Sequence, residues 1–188
     1  MITPDRVGEQ IAVVRERIAA AGGTPGEVAV VAVTKGFGPE AVAAAVGAGL
    51  RDVGESYAQE LAGKASTLDG ADVRWHFIGR LQSNKVRMIG GAVSVWQSID
   101  RAALVPELRR WAPGSTALVQ LDVTGTPRRS GCRPGEVPDL VARLGDAGVE
   151  VVGLMAMGSL VDPISPGRPT ARCAGSPTAW GWRSARWG

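Results

Sequence analysis

Val28-Ala29-Val30-Val31-Ala32-Val33-Thr34-Lys35 is the segment that decides the fold class. It is almost continuously apolar and rich in β-branched residues, and Gly36-Phe37-Gly38-Pro39 follows it at once. Such a run predicts a strand buried on both faces, which is typical of a parallel sheet covered by helices. Its last residue, Lys35, therefore stands at the carboxyl end of a strand, where α/β proteins place their functional groups.

Two interpretations of Lys35 follow from this position. A lysine that is partly buried at a strand end loses its proton readily, and its amine can then add to a carbonyl to form a Schiff base. The alternative is an ordinary solvated lysine that closes a strand. The segment alone leaves both interpretations open, because a strand-end lysine is only a probabilistic sign of a functional site.

Helix and strand patterns alternate on both sides of this segment. The pattern predicts a first helix over 4–21 and six strands, at 28–34, 50–53, 73–78, 93–97, 116–123 and 149–154, with helices between them. Repeated βα units predict a parallel sheet, and their regular spacing favours a (β/α) barrel of the TIM type over a doubly wound sheet. A complete barrel has eight strands and about 250 residues. We therefore expect an incomplete barrel with about six of the eight βα units.

The composition changes after Ser159. Four of the twelve prolines and three of the six tryptophans lie beyond it, and no helical or strand period continues there. This change predicts two parts, a barrel domain at 1–158 and an irregular tail at 159–188.

Bulk properties exclude several classes of function. A net charge of +3 spread along the chain is too small to indicate nucleic-acid binding, and the chain has no apolar stretch long enough to cross a membrane. The amino terminus does not resemble a signal peptide, so we expect a cytoplasmic protein. A single histidine, His76, and two distant cysteines exclude the common zinc sites, and we expect no metal.

Four segments together identify a family. They occur in the order Ala32-Val33-Thr34-Lys35, Gly54-Glu55-Ser56-Tyr57-Ala58-Gln59-Glu60, Trp75-His76-Phe77-Ile78-Gly79-Arg80-Leu81-Gln82-Ser83-Asn84-Lys85 and Gly153-Leu154-Met155. The chain resembles the pyridoxal phosphate homeostasis proteins, the YggS/PROSC family, whose fold is similar to the barrel domain of alanine racemase. The resemblance covers about residues 3–158.

The resemblance implies a cofactor, pyridoxal 5′-phosphate (PLP), and a role for Lys35 as the lysine that holds it as a Schiff base. Ser56 takes the place of a family asparagine near the cofactor, and it keeps a donor and an acceptor but has a shorter reach. His76 and Met155 are further candidates for the pocket. A structural role is the stronger interpretation of His76, and Met155 is equally explained as core filling.

The family's function implies an intracellular PLP carrier or regulatory protein without established catalysis. PLP-dependent apoenzymes are the expected acceptors of the cofactor. An alternative from another class is an amino-acid racemase-like enzyme that uses the same lysine. We expect no counterpart of the racemase's second domain, which supplies a tyrosine acid/base, and Tyr57 stands at a predicted helix start.

The tail departs from the family pattern. The family's phosphate-binding segments, which follow the glycine-leucine-methionine strand, have no counterpart after Ser159, and 179–184 looks like one of them translated in a shifted frame. We therefore expect a shortened, frameshifted end and PLP binding weakened by about two to four orders of magnitude. A third alternative follows, namely a non-functional product of a damaged gene, and resequencing the gene tests it.

Overall fold

The computed structural model of the chain describes residues 1–123 and 130–157. The strands are β1 (Ala32–Val33), β2 (Asp52–Glu55), β3 (Arg74–Phe77), β4 (Val93–Ile99), β5 (Thr116–Leu121) and β6 (Glu150–Ala156). The helices are α1 (Pro4–Ala20), α2 (Pro39–Gly47), α3 (Ala58–Thr67), α4 (Ser83–Ile89), α5 (Val105–Trp111) and α6 (Val137–Asp146). Short 3₁₀ turns, Ala102–Leu104 and Pro134–Glu136, lead into α5 and α6. The predicted tail, with the predicted loss of the phosphate segments, lies outside the described residues.

All strand pairs in the described residues are parallel, and the six strands lie side by side in chain order from β1 to β6. A doubly wound sheet reverses its strand order at a switch point, whereas sequential order is typical of a (β/α) barrel. The predicted fold class, a parallel βα barrel with six units, is therefore confirmed.

The core lies between the sheet and its helices. One face of the strands contributes Val53, Trp75, Phe77 and Trp96, which pack against apolar side chains of α3 to α6. Trp96 is fully buried, contacts Phe77 with 6.0 Å between ring centroids, and donates a hydrogen bond from Nε1 to Ser115 Oγ at 3.1 Å. Because this Trp nitrogen is paired, the large ring is buried without the penalty of an unsatisfied donor.

The prediction of a doubly buried strand over 28–34 is wrong. Only Ala32 and Val33 form β1, and the side chains of Val28 and Val33 are 44% and 48% exposed. In the described part of the chain β1 pairs with β2 alone, so it is an edge strand. Side chains alternate along a strand, so Ala32 and Val33 point to opposite faces, and the face that carries Val33 is the more exposed one.

Local signals at the other elements agree with the structure to within a few residues. Thr3 caps α1, since its Oγ1 accepts a hydrogen bond from the backbone N–H of Arg6 at 3.4 Å. Helix α3 begins at Ala58, directly after its N-cap residue Tyr57, whose backbone is extended. No helix within the described ranges combines the length and apolar character needed to cross a membrane.

Candidate functional site

A cleft of about 390 Å³ opens at the carboxyl ends of the strands. This volume is in the range of small-molecule sites, roughly 300–1,000 Å³, and the position is the one at which parallel barrels carry their chemistry. Residues that follow β1, β2, β3, β5 and β6 line it together. They are Lys35, Ser56, Ile78, Gly79, Arg80, Gln120, Leu121, Asp122, Val123, Ser130 and Met157.

Lys35 lies in the turn between β1 and α2, and it is exposed. The turn closes with a hydrogen bond from the Phe37 N–H to the Thr34 carbonyl at 3.1 Å, and Gly36 adopts the left-handed region with φ of +78°. Only glycine enters that region without strain. Of the two interpretations, partial burial does not apply to Lys35, because the strand ends at Val33 and the lysine lies beyond it. The amine is therefore directly available at the cleft.

Ser56 reaches the cleft because the chain after β2 passes unusually close to the chain after β3. A Cβ atom placed on Gly79 would lie 2.0 Å from the carbonyl oxygen of Ser56, so only glycine fits there. The Gly79 carbonyl in turn accepts a hydrogen bond from Ser98 Oγ at 2.5 Å. Thus the glycine of the His76-Phe77-Ile78-Gly79 segment has a structural function at the site: it lets two strand ends approach each other.

The structure places the four predicted site residues in two groups. Lys35 and Ser56 share the cleft, whereas His76 and Met155 are not among the residues that line it. His76 lies within β3, before the end of the strand. It is buried there, and each of its ring nitrogens has a hydrogen-bond partner. Met155 is half-buried within β6 and pairs with Gln120, so Met157, beyond the strand end, lines the cleft instead.

His76 is part of a polar network across β2, β3 and β4. Its Nε2 lies 2.7 Å from Asp52 Oδ1, and its Nδ1 lies 2.7 Å from Gln97 Nε2. Asp52 also accepts two hydrogen bonds from Arg74, at 2.5 Å to Oδ1 and 2.9 Å to Oδ2. Burial holds the pKa of His76 below its usual value of 6.5, although the Asp52 carboxylate acts in the opposite direction. The contacts with Asp52 and Gln97 hold the buried His76 ring in place.

Asp52 stays ionised within that network. Burial is the largest single influence and works to raise the pKa of Asp52, but the hydrogen bonds and positive charge of Arg74, together with His76, outweigh it. The pKa of this carboxyl therefore lies below 3.8. A carboxylate held in this way orients the imidazole and neutralises Arg74.

A second polar network lies on the opposite face of β2, between the strand and α3. The side chains of Glu55 and Lys64 are 0% and 5% exposed, and their charged atoms are 2.5 Å apart. Thr34 Oγ1 donates to the same oxygen, Glu55 Oε1, at 2.5 Å. Sequence analysis missed this network, although the spacing of Glu60 and Lys64, four residues apart on α3, is a signal for an ion pair on one helix face.

Several cleft residues were also missed. Arg80 belongs to the third segment of the family resemblance but carries no predicted role there, and neither Gln120 nor Asp122 is marked by a motif. Their signal is positional, because each follows or ends a strand on the functional side of the sheet. Gln120 Nε2 donates to the Ser130 carbonyl at 3.0 Å, and this contact draws the segment that begins at Ser130 against the end of β5.

The described part of the chain contains no candidate metal site. Residues 1–123 and 130–157 contain no group of three or more His, Cys, Asp and Glu side chains that could hold a metal ion. Cys132, which is buried beside β5, has its pKa raised by burial. The candidate chemistry therefore rests on the Lys35 amine and the hydroxyl and guanidinium groups around it.

Comparison with known proteins identifies a family and several relatives of this chain. The alanine racemase N-terminal domain family matches residues 2–172. A pyridoxal phosphate homeostasis protein of Pseudomonas aeruginosa is 35% identical over 158 residues, which cover 81% of this chain and 69% of the relative.

Solved structures of similar fold include PipY and an alanine racemase. PipY of Synechococcus elongatus, in a structure with PLP bound, is 30% identical with a TM-score of 0.64, and the match covers 78% of this chain and 71% of PipY. Alanine racemase of Streptomyces coelicolor is 22% identical with a TM-score of 0.68, over 90% of this chain and 45% of the racemase. The racemase likeness shows the shared fold.

Proposed function

This chain belongs to the alanine racemase N-terminal domain family, and from that premise we propose that it binds PLP at Lys35 and holds the cofactor for other proteins. The observation that carries the proposal is an exposed lysine at the mouth of a strand-end cleft of small-molecule size. Its relatives named as pyridoxal phosphate homeostasis proteins and the PLP-bound PipY structure support the choice of ligand.

The residues around the cleft fit this cofactor. PLP, when bound, supplies an aldehyde that a lysine amine holds by a reversible condensation that releases water. Lys35 is the lysine that lines the described part of the cleft, and Arg80 adds a guanidinium. Ser56 and Ser130 add polar groups, and all three side chains can donate hydrogen bonds to an anionic ligand.

The same residues support a holding function over a catalytic one. Racemisation needs a second acid or base beside the lysine. Neither His76 nor Tyr57 lines the cleft as far as the structure describes it, and His76 already has partners on both ring nitrogens. The proposed function is therefore to bind PLP reversibly, to keep its aldehyde from reacting elsewhere, and to release it to PLP-dependent apoenzymes.

A PLP titration tests this function. The parent is expected to produce a saturable visible absorption band, and Lys35→Ala is expected to lose it. Lys85→Ala is the matched control, because Lys85 is half-buried on α4 and is not among the residues that line the cleft. An equal band in Lys35→Ala would contradict the assignment.

A second assay separates holding from catalysis. Transfer of PLP from the loaded protein to an apo-aminotransferase, measured by recovery of aminotransferase activity, is expected to occur. Alanine and serine racemisation by the same sample is expected to be undetectable, and sustained turnover dependent on Lys35 would instead support the racemase-like alternative.

A further inference from the structure

Lys64 has no direct access to the cleft, yet it is one of the most constrained charged groups in the described chain. Lysine is almost never fully buried unless it is paired. Here Nζ donates to Glu55 Oε1 at 2.5 Å and to the backbone carbonyl of Thr34 at 2.8 Å, and it lies 3.6 Å from Glu60 Oε2. Lys64 therefore joins helix α3 to both β2 and the end of β1.

The contacts of α3 reach both peptide groups of Lys35. The Thr34 carbonyl, which belongs to the peptide bond before Lys35, accepts from Lys64 Nζ. The Gly36 N–H, which belongs to the peptide bond after Lys35, donates to Glu60 Oε2 at 2.8 Å. Glu60 and Lys64 lie one helical turn apart, so a single rigid helix holds the backbone on each side of the lysine.

Stability alone is a weak explanation for this arrangement. A buried ion pair must overcome the desolvation of both charges, and replacing such pairs with apolar side chains is often neutral or stabilising. The pair is also incompletely satisfied, because Glu55 Oε2 is buried and has no hydrogen-bond partner among the described residues. A buried charge that is kept despite this cost points to a requirement for a defined geometry.

We propose that Lys64, Glu55 and Glu60 form a positioning device that fixes the turn carrying Lys35, so that its amine is presented to the cleft before any ligand arrives. The inference rests on the proposed function of Lys35. Lys64 and Glu60 are positioning residues in it, since they act through the backbone of Lys35. A turn that is ordered in advance lowers the entropic cost of binding, and thereby raises affinity.

Glu60 offers the cleanest test, because it is partly exposed and its loss leaves the buried Glu55–Lys64 pair intact. Glu60→Ala removes the acceptor of the Gly36 N–H, whereas Glu60→Gln retains an acceptor oxygen. Gln59→Ala, at an exposed neighbouring position on α3, is the matched control. In the PLP-free protein, amide hydrogen exchange at Gly36 is expected to become about tenfold faster in Glu60→Ala and to stay near the parent rate in the other two variants.

PLP binding gives the second measurement. Glu60→Ala is expected to raise the dissociation constant about fivefold to tenfold, with an unfolding transition close to that of the parent, and Glu60→Gln is expected to restore most of the affinity. The double variant Lys64→Met/Glu55→Gln removes both buried charges together, and we expect it to fold and to lose affinity by a similar factor.

Two results would overturn the inference. One is a Glu60→Ala protein whose Gly36 exchange and PLP affinity match those of Gln59→Ala, and the other is a folded double variant that binds PLP like the parent. Failure of the proposed function is recognised separately. If the parent does not bind PLP at Lys35, that function is wrong, while the exchange rate of Gly36 in the PLP-free protein still decides whether α3 fixes the turn.

Discussion

Nε2 of His76 lies 2.7 Å from Oδ1 of Asp52, across the pair of strands that leads to the cleft. An ionised carboxylate only accepts hydrogen bonds, so this contact places the proton of the neutral imidazole on Nε2 and leaves Nδ1 to accept from Gln97. His76 therefore behaves as a fixed structural group of the barrel interior.

A pH titration of stability checks this relationship. The pKa of folded His76 lies below 6.5, so the unfolded chain takes up a proton first as the pH falls. The contribution of His76 to the free energy of unfolding is complete above pH 6.5 and decreases below it as the pH approaches the folded pKa. His76 is the single histidine of the chain, so its NMR titration is unambiguous. A titration midpoint above 6.5 would contradict the assignment.

Gly79→Ala is expected to destabilise the protein by about 1–3 kcal/mol, because the new Cβ meets the backbone of Ser56 and one strand end must move. Urea unfolding measures this change. Gly63→Ala is the control, because Gly63 lies within α3 with open space around it. There the substitution should stabilise the protein by roughly 0.5–1 kcal/mol. Equal effects of the two changes would argue against the close approach at Gly79.

Substitutions of Ser56 test whether the polar side chain that follows β2 contacts the bound cofactor. Ser56→Asn lengthens the side chain to that expected from the family resemblance, and it should tighten PLP binding about threefold to tenfold. Ser56→Ala removes the hydroxyl and should weaken binding by a similar factor. Both effects are measured as dissociation constants by absorption titration, and unchanged affinity in both variants would place Ser56 outside the binding contacts.

The phosphate group is tested by comparing PLP with pyridoxal, which lacks it. The described part of the cleft contributes one guanidinium, that of Arg80, to an anion. We therefore expect PLP to bind only about tenfold to a hundredfold more tightly than pyridoxal, the range of a single charge-assisted hydrogen bond. Arg80→Gln should abolish that preference. A preference of several hundredfold that survives Arg80→Gln would show a phosphate site formed elsewhere.

The architecture could be predicted from the sequence because the spacing of apolar residues differs between helices and strands and indicates which side chains are buried. The run that ends at Lys35 indicated the βα order and the functional end of the sheet correctly. It also overestimated the length of β1, because a pattern of apolar residues cannot show whether another layer packs on each face of the strand. Val33 is apolar by sequence, yet it is half exposed at an edge.

The site itself was only partly predictable. Lys35 and Ser56 were found through motifs, but the Glu55–Lys64 pair depends on two side chains from different elements that meet behind the cleft. His76 and Met155 lie inside strands, and only the register determines whether such residues reach the cleft or the sheet interior. Sequence reasoning has no access to that register.

Covalent mapping of bound PLP tests the central claim most directly. The chain has three lysines, Lys35, Lys64 and Lys85, so borohydride reduction in the presence of PLP followed by peptide mass spectrometry distinguishes all of them. We predict that the label falls on Lys35, disappears in Lys35→Ala and persists in Lys85→Ala. A label on Lys85 or the amino terminus in the parent, or equal labelling of Lys35→Ala, would contradict the assignment of Lys35 as the residue that holds the cofactor.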